Sequence, residues 1–192
     1  MPRTVALDIE TTGLNRYSEK ITVVCLYGHI DPASQRIASR TFNMLTGGAD
    51  AKAEELAEIL DTAERISCFN GTRFDIPFLQ VQLGFGAERV GGWILKMFDV
   101  YDIARGLLNA SFKLDTVLRL NGFETKSASG LQAVQWAKDP RHYRKLEEYC
   151  MQDTRLTFLL SQTLDIKLPV AHAAGKYHLL QEGGIFRLTV ST

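Results

Sequence analysis

The stretch Thr4-Val5-Ala6-Leu7-Asp8-Ile9-Glu10-Thr11-Thr12-Gly13-Leu14 decides how the rest of the chain is read. From Arg3 to Glu10 the pattern alternates as side chains do along a strand, with Val5, Leu7 and Ile9 pointing one way and Ala6, Asp8 and Glu10 the other. Asp8 and Glu10 therefore project from one face. Two carboxylates so close repel strongly in a low dielectric unless a cation lies between them. Taken alone, the pair reads either as a solvated strand end or as half of a cation site.

Working outward, Lys20 to Ile30 is a second β-rich run, with Ile21, Val23, Cys25 and Tyr27 on one face. Gln35 to Met44 is a third, and Asp31-Pro32-Ala33-Ser34 supplies the turn between them. Three strands with short connections predict an antiparallel meander. A helix follows from Ala51 to Glu64, striped by Leu56, Ile59, Leu60 and Ala63, with Asp50 as its cap. Arg65 to Asn70 reads as a fourth strand, and Asp75 opens a helix to Leu83 with Pro77 in its first turn. Trp93 to Phe98 reads as a fifth strand, then Val100 to Leu108 and Leu114 to Leu120 as helices. Asp139-Pro140 caps and opens a last helix reaching about Leu164. The pairs Gly47-Gly48, Gly91-Gly92 and Gly183-Gly184 read as turns. The last of these makes Tyr177 to Gln181 and Ile185 to Val190 a hairpin, or a short helix followed by a strand. The order predicts an α/β fold with a mixed five-stranded sheet, antiparallel in its first three strands and flanked by helices. Residues 1–166 form the expected domain and 167–192 a C-terminal extension packed on it.

The chain has 192 residues, 45% of them hydrophobic, enough for one well-buried core. Twenty-two basic residues balance 22 acidic ones, which excludes a broad electrostatic footprint for duplex DNA but allows a local basic groove. The longest apolar run, Ile21 to Gly28, is far short of the ~20 residues of a spanning helix, and Met1-Pro2-Arg3-Thr4 does not read as a secretory signal, so no membrane is expected. Cys25, Cys68 and Cys150 are few, odd in number and set in apolar stretches, which predicts buried thiols in the cytoplasm or another reducing compartment. The four histidines are dispersed. No zinc spacing, no nucleophile elbow and no phosphate-binding loop with Lys-Ser/Thr is present.

Three motifs carry more information. Asp8-Ile9-Glu10-Thr11-Thr12-Gly13-Leu14 resembles the first motif of the DEDD superfamily of 3′→5′ exonucleases, which have a ribonuclease-H-like fold. Asn70-Gly71-Thr72-Arg73-Phe74-Asp75 resembles the second, although Asp75 by itself reads as a helix cap, a role that can coexist with facing a metal. Tyr149-Cys150-Met151-Gln152-Asp153 resembles the third in its Tyr-x-x-x-Asp form, with Tyr149 and Asp153 one turn apart on a helix. Position 148 is Glu rather than the His of the histidine branch, so the resemblance is to the tyrosine branch and, in its spacing, to the exonuclease domains of family B DNA polymerases.

This resemblance implies a two-metal phosphodiester hydrolase using Mg²⁺ or Mn²⁺, the hard cations that carboxylates favour. Asp8, Glu10, Asp75 and Asp153 are the implied ligands, and Tyr149 orients the attacking water. Thr12, Leu14, Asn70 and Phe74 are the implied contacts to the terminal nucleotides, core packing being the other reading of Leu14 and Phe74. Arg141, Arg144 and Lys145 read as phosphate contacts or a solvated helix face, and Asp99 and Asp102 as helix-start residues. The expected partners are single-stranded DNA or RNA 3′ ends, and a polymerase or another nucleic-acid-processing protein. The alternative is a catalytically silent or accessory binding module of the same fold.

Overall fold

A computed structural model of the chain describes residues 2–109, 111–124, 130–163, 165–168 and 186–189. β1 (Thr4–Thr11), β2 (Ile21–Gly28) and β3 (Ala38–Asn43) form the antiparallel meander. β4 (Arg65–Cys68) adds to β1 in parallel and β5 (Met97–Asp99) to β4, giving the order β3-β2-β1-β4-β5. The expected α/β fold with a mixed five-stranded sheet is the one observed.

Helices cover both faces. The helices α1 (Ala49–Thr62), α2 (Asp75–Leu83) and α3 (Ala87–Ile94) share one core with the β1 residues Val5, Leu7 and Ile9 and with Val24 and Leu26 of β2. On the other side, α4 (Val100–Leu108) and α5 (Leu114–Leu120) form a second cluster. α6 (Gly130–Ala137) and α7 (Tyr143–Ser161) form a third, which contains Val23 and Cys25 of β2. A separate two-stranded ribbon pairs β6 (Asp165–Leu168) with β7 (Phe186–Thr189), and Ile166 and Leu168 join the second cluster.

Several local expectations change. Trp93 and Ile94 end α3 rather than open a strand, and the fifth strand is only Met97–Asp99. Gly91 and Gly92 lie inside α3, not in a turn. α1 is capped by Gly48, whose φ of 81° only glycine adopts freely, while Asp50 sits within the first turn. The last helix stops at Ser161, and a 3₁₀ turn, Pro140–His142, precedes it with Asp139 as its cap. Tyr177 to Gln181 lies outside the described residues, and Phe186–Thr189 within the second predicted run is a strand. No helix among the described residues is long and apolar enough to cross a membrane.

Candidate active site

The register fixes the site. Asp8 lies opposite Cys25 and Glu10 opposite Val23 in the β1–β2 ladder, so their side chains leave the sheet on the α7 side. Both carboxylates are half-buried. A register shift between Glu10 and Thr11 ends the regular ladder just after the pair. Helix α7 packs across this face, and the Cys150 thiol donates to the Asp8 carbonyl oxygen at 3.5 Å. One ligand atom from each of Asp8, Glu10 and Cys150 lies within 4.8 Å of the others. Tyr149 and Asp153, each 4% exposed, stand on the same buried side of α7. The Tyr149 ring meets Trp136 of α6 edge-on at 6.2 Å.

Asp75 is not among the three residues gathered there; its carboxylate reaches the β1 backbone instead. The parallel register of β1 with β4 runs only from Thr4 to Ala6. Further along β1, the Ile9 N–H is taken by the Asp75 carboxylate at 3.0 Å. Asp75 is thus the first residue of α2 rather than its cap, and Phe74 holds the cap position. It is 4% exposed, and burial, followed by the charge of Asp99, pushes its carboxyl up to about 7 against the pull of the Ile9 N–H.

Asp99 organises the second motif. Its carboxylate accepts from the N–H groups of Asn70 at 2.8 Å and Thr72 at 3.0 Å, and it also caps α4 through Tyr101. Asn70 takes a left-handed φ of 67° in this bend. Gly71 lies so close to Cys68 that a Cβ would sit 2.7 Å from the sulfur. The helix-start reading of Asp99 holds, with this bracing role added. Asp102 pairs with Arg73 across the surface.

The predicted substrate contacts separate into two cavities. Asn70 and Tyr149 line one of about 590 Å³ with Phe69, Tyr101, Phe112 and Lys113. Leu14 and Phe74 line another of about 410 Å³. Leu14 is 81% exposed, whereas Phe74 packs on Phe78 at 4.8 Å and borders the first core. The Thr12 hydroxyl is engaged within its own loop, donating to Glu19 at 2.5 Å and accepting from the Lys20 N–H. Arg141 pairs with Asp139 in the 3₁₀ turn before α7 and Arg144 with Glu148 on the exposed start of α7, while Lys145 lines a cavity with Trp136 and Tyr149.

Sequence reasoning missed the place of Cys150, read as an inert core thiol. Burial, then Cys25, Asp8 and Glu10, push this thiol well above its ordinary range, so it stays protonated. The two close carboxylates offer oxygen donors of the kind a divalent cation takes, and with Cys150 they form a group that could hold a metal ion.

Known proteins agree with this architecture. The chain resembles the family B DNA polymerase from the hyperthermophilic archaeon Pyrobaculum calidifontis, with a TM-score of 0.64 and 18% identity over 85% of this chain and 24% of that one. A structure described as the apo form of a nuclease matches with a TM-score of 0.52 and 21% identity, over 82% of this chain and 69% of that one. E. coli Exonuclease I, in complex with an oligonucleotide, matches with a TM-score of 0.50 and 14% identity, over 81% of this chain and 39% of that one. The chain thus spans about a quarter of the polymerase. No curated protein matches it by sequence. The RNase_H superfamily model matches residues 5–165, a span that takes in nearly the whole sheet, the seven helices named above and every carboxylate described above. On that match and that sheet order, the chain belongs to the RNase_H superfamily.

Proposed function

We propose that this protein is a metal-dependent 3′→5′ exonuclease of the tyrosine branch, releasing nucleoside 5′-monophosphates one at a time from single-stranded ends, with DNA favoured over RNA. One observation carries the reading. The Asp8 and Glu10 carboxylates lie with Cys150 inside 4.8 Å, against the helix that bears Tyr149 and Asp153.

Asp8, Glu10, Asp75 and Asp153 would hold two Mg²⁺ or Mn²⁺ ions, Glu10 and Asp153 helping to activate the attacking water. When bound, such a pair supplies charge neutralisation at the scissile phosphate and lowers the pKa of water. Tyr149 orients the attacking water through its hydroxyl rather than taking its proton, because a phenol of ordinary pKa about 10 is already protonated near neutrality. The water oxygen bonds to phosphorus as it gives up a proton to solvent, the bond to the 3′ oxygen breaks, and that oxygen takes up a proton from solvent. Leu14 wedges against the terminal bases, Phe74 stacks beside it, and Asn70 and Thr12 approach the sugar and phosphate. Residues 1–166 form the catalytic unit and 167–192 its extension. Three unbridged, buried cysteines support a reducing compartment. A polymerase or another nucleic-acid-processing protein is the partner in this reading.

The test is a time course on 5′-labelled single-stranded DNA and RNA with Mg²⁺, Mn²⁺ or EDTA. A ladder shortening from the 3′ end, absent in EDTA and faster on DNA, is expected. Intact oligonucleotides under every metal condition would sink the reading.

A further inference from the structure

The loop between β1 and β2 carries an exposure that packing does not explain. Tyr17 is 75% exposed and Leu14 81% exposed. Yet this loop is not loose. The Thr12 N–H donates to the Lys20 carbonyl oxygen at 2.9 Å, and the Ser18 and Glu19 N–H groups both donate to the Asn15 carbonyl oxygen. Gly13 lies so close to Glu19 that a Cβ would meet its side chain at 2.7 Å. From α2, the Gln82 amide donates to the Arg16 carbonyl oxygen at 2.7 Å and ties the loop to that helix.

The cavity of about 410 Å³ between this loop and the start of α2 has a distinct chemistry. Its lining includes two guanidinium groups, Arg16 and Arg73, and three rings, Tyr17, Phe74 and Phe78. No carboxylate lines it among the described residues. The Arg16 guanidinium lies 5.5 Å from the centre of the Tyr17 ring. Asp102 engages Arg73 through Nε, which fixes one edge of that guanidinium. In a chain of net charge zero, a cationic and aromatic concavity beside two acidic motifs is a local feature, not an overall bias. Guanidinium groups take phosphates, and exposed rings take unpaired bases, whereas a stacked duplex offers its bases no such access.

We propose that the part of this cavity beyond Leu14 and Phe74 seats the single-stranded nucleotides next upstream of the terminal bases, with Arg16 and Arg73 on phosphates and Tyr17 stacked on a base. The proposal rests on the exonuclease reading for its direction. Its binding chemistry can be measured apart from catalysis.

Fluorescence anisotropy with dye-labelled oligo(dT) of two to eight nucleotides, in Ca²⁺ and at several salt concentrations, tests it. In the wild type, affinity should rise with length. In Arg16→Ala/Tyr17→Ala the longer oligomers should bind roughly 5- to 150-fold more weakly, the range set by removing one base stack. The gain with length should flatten, and the salt slope should fall by about 0.7, the share of the one phosphate that Arg16 no longer neutralises. Tyr17→Leu, which keeps an apolar group on the surface, should lose affinity and keep the slope. Thermal melting checks that each variant is folded. Unchanged length dependence and slope in a folded double variant would overturn the seat, as would equal competition by a duplex or by polyglutamate. Wild-type protein that binds the longer oligomers in Ca²⁺ yet degrades none in Mg²⁺ or Mn²⁺ would leave the seat standing and remove the exonuclease reading.

Discussion

On β1, Val5, Leu7 and Ile9 enter a core made wholly of apolar groups, while Asp8 and Glu10 leave the other face toward Cys150 of α7. Neighbouring residues of one strand thus serve opposite ends. The first face gains from excluding water, and the second gathers charge where burial makes charge costly. Period-two geometry lets both happen within one strand without conflict. Stability and chemistry can therefore be damaged one residue at a time.

The largest expected effect is on the charged face. Asp8→Ala should lower nuclease turnover by at least about 10²-fold, the scale of deleting one group that stabilises developing charge. Its melting temperature should hold or rise, because a repulsion with Glu10 is relieved. A folded Asp8→Ala protein with wild-type rates would break the division between the faces. On the apolar face, Leu7 is 1% exposed, and Leu7→Ala should cost roughly 2–5 kcal/mol in denaturant unfolding. The folded fraction should still degrade its substrate at the normal rate. Leu7→Ala activity lost without lost stability would show that the two faces are coupled.

The smallest effect sharpens the contrast through pH. The Asp75 carboxyl is raised from 3.8 to about 7, so between those values the folded chain binds more protons than the unfolded one. Metal-free protein should accordingly lose stability as pH rises from about 4 through about 7. Asp75→Asn should flatten that slope in urea titrations, and an unchanged slope would assign it to other groups.

Much of this was legible because alternation and helical punctuation are local signals. Val5, Leu7 and Ile9 against Asp8 and Glu10 predict the strand and its two faces. Pro77 marks the first turn of α2, and α4 and α5 fall at their predicted bounds. Short apolar runs fail where period cannot separate helix from strand. Trp93 and Ile94 look β-prone, but Trp93 is held in α3 by packing and by its indole N–H to Asp61 at 2.6 Å. Helix α6 escaped notice because its buried side chains are small, Ala133 and Ala137, one turn apart. The nearness of Cys150 to Asp8 depends on how α7 lies across the sheet, a separation of 142 residues that no local pattern encodes. Nor could the sequence say that Asp75 bonds to Ile9 rather than caps its own helix.

That bond between Asp75 and Ile9 bears on how an inert form should be made for trapping a bound oligonucleotide. A side chain that closes the open edge of a strand is architectural whatever else it does, so replacing it disturbs the scaffold. Exchanging Asp8 or Glu10 spares that seam, and a variant made there to test the proposed activity would keep its natural shape toward whatever it grips.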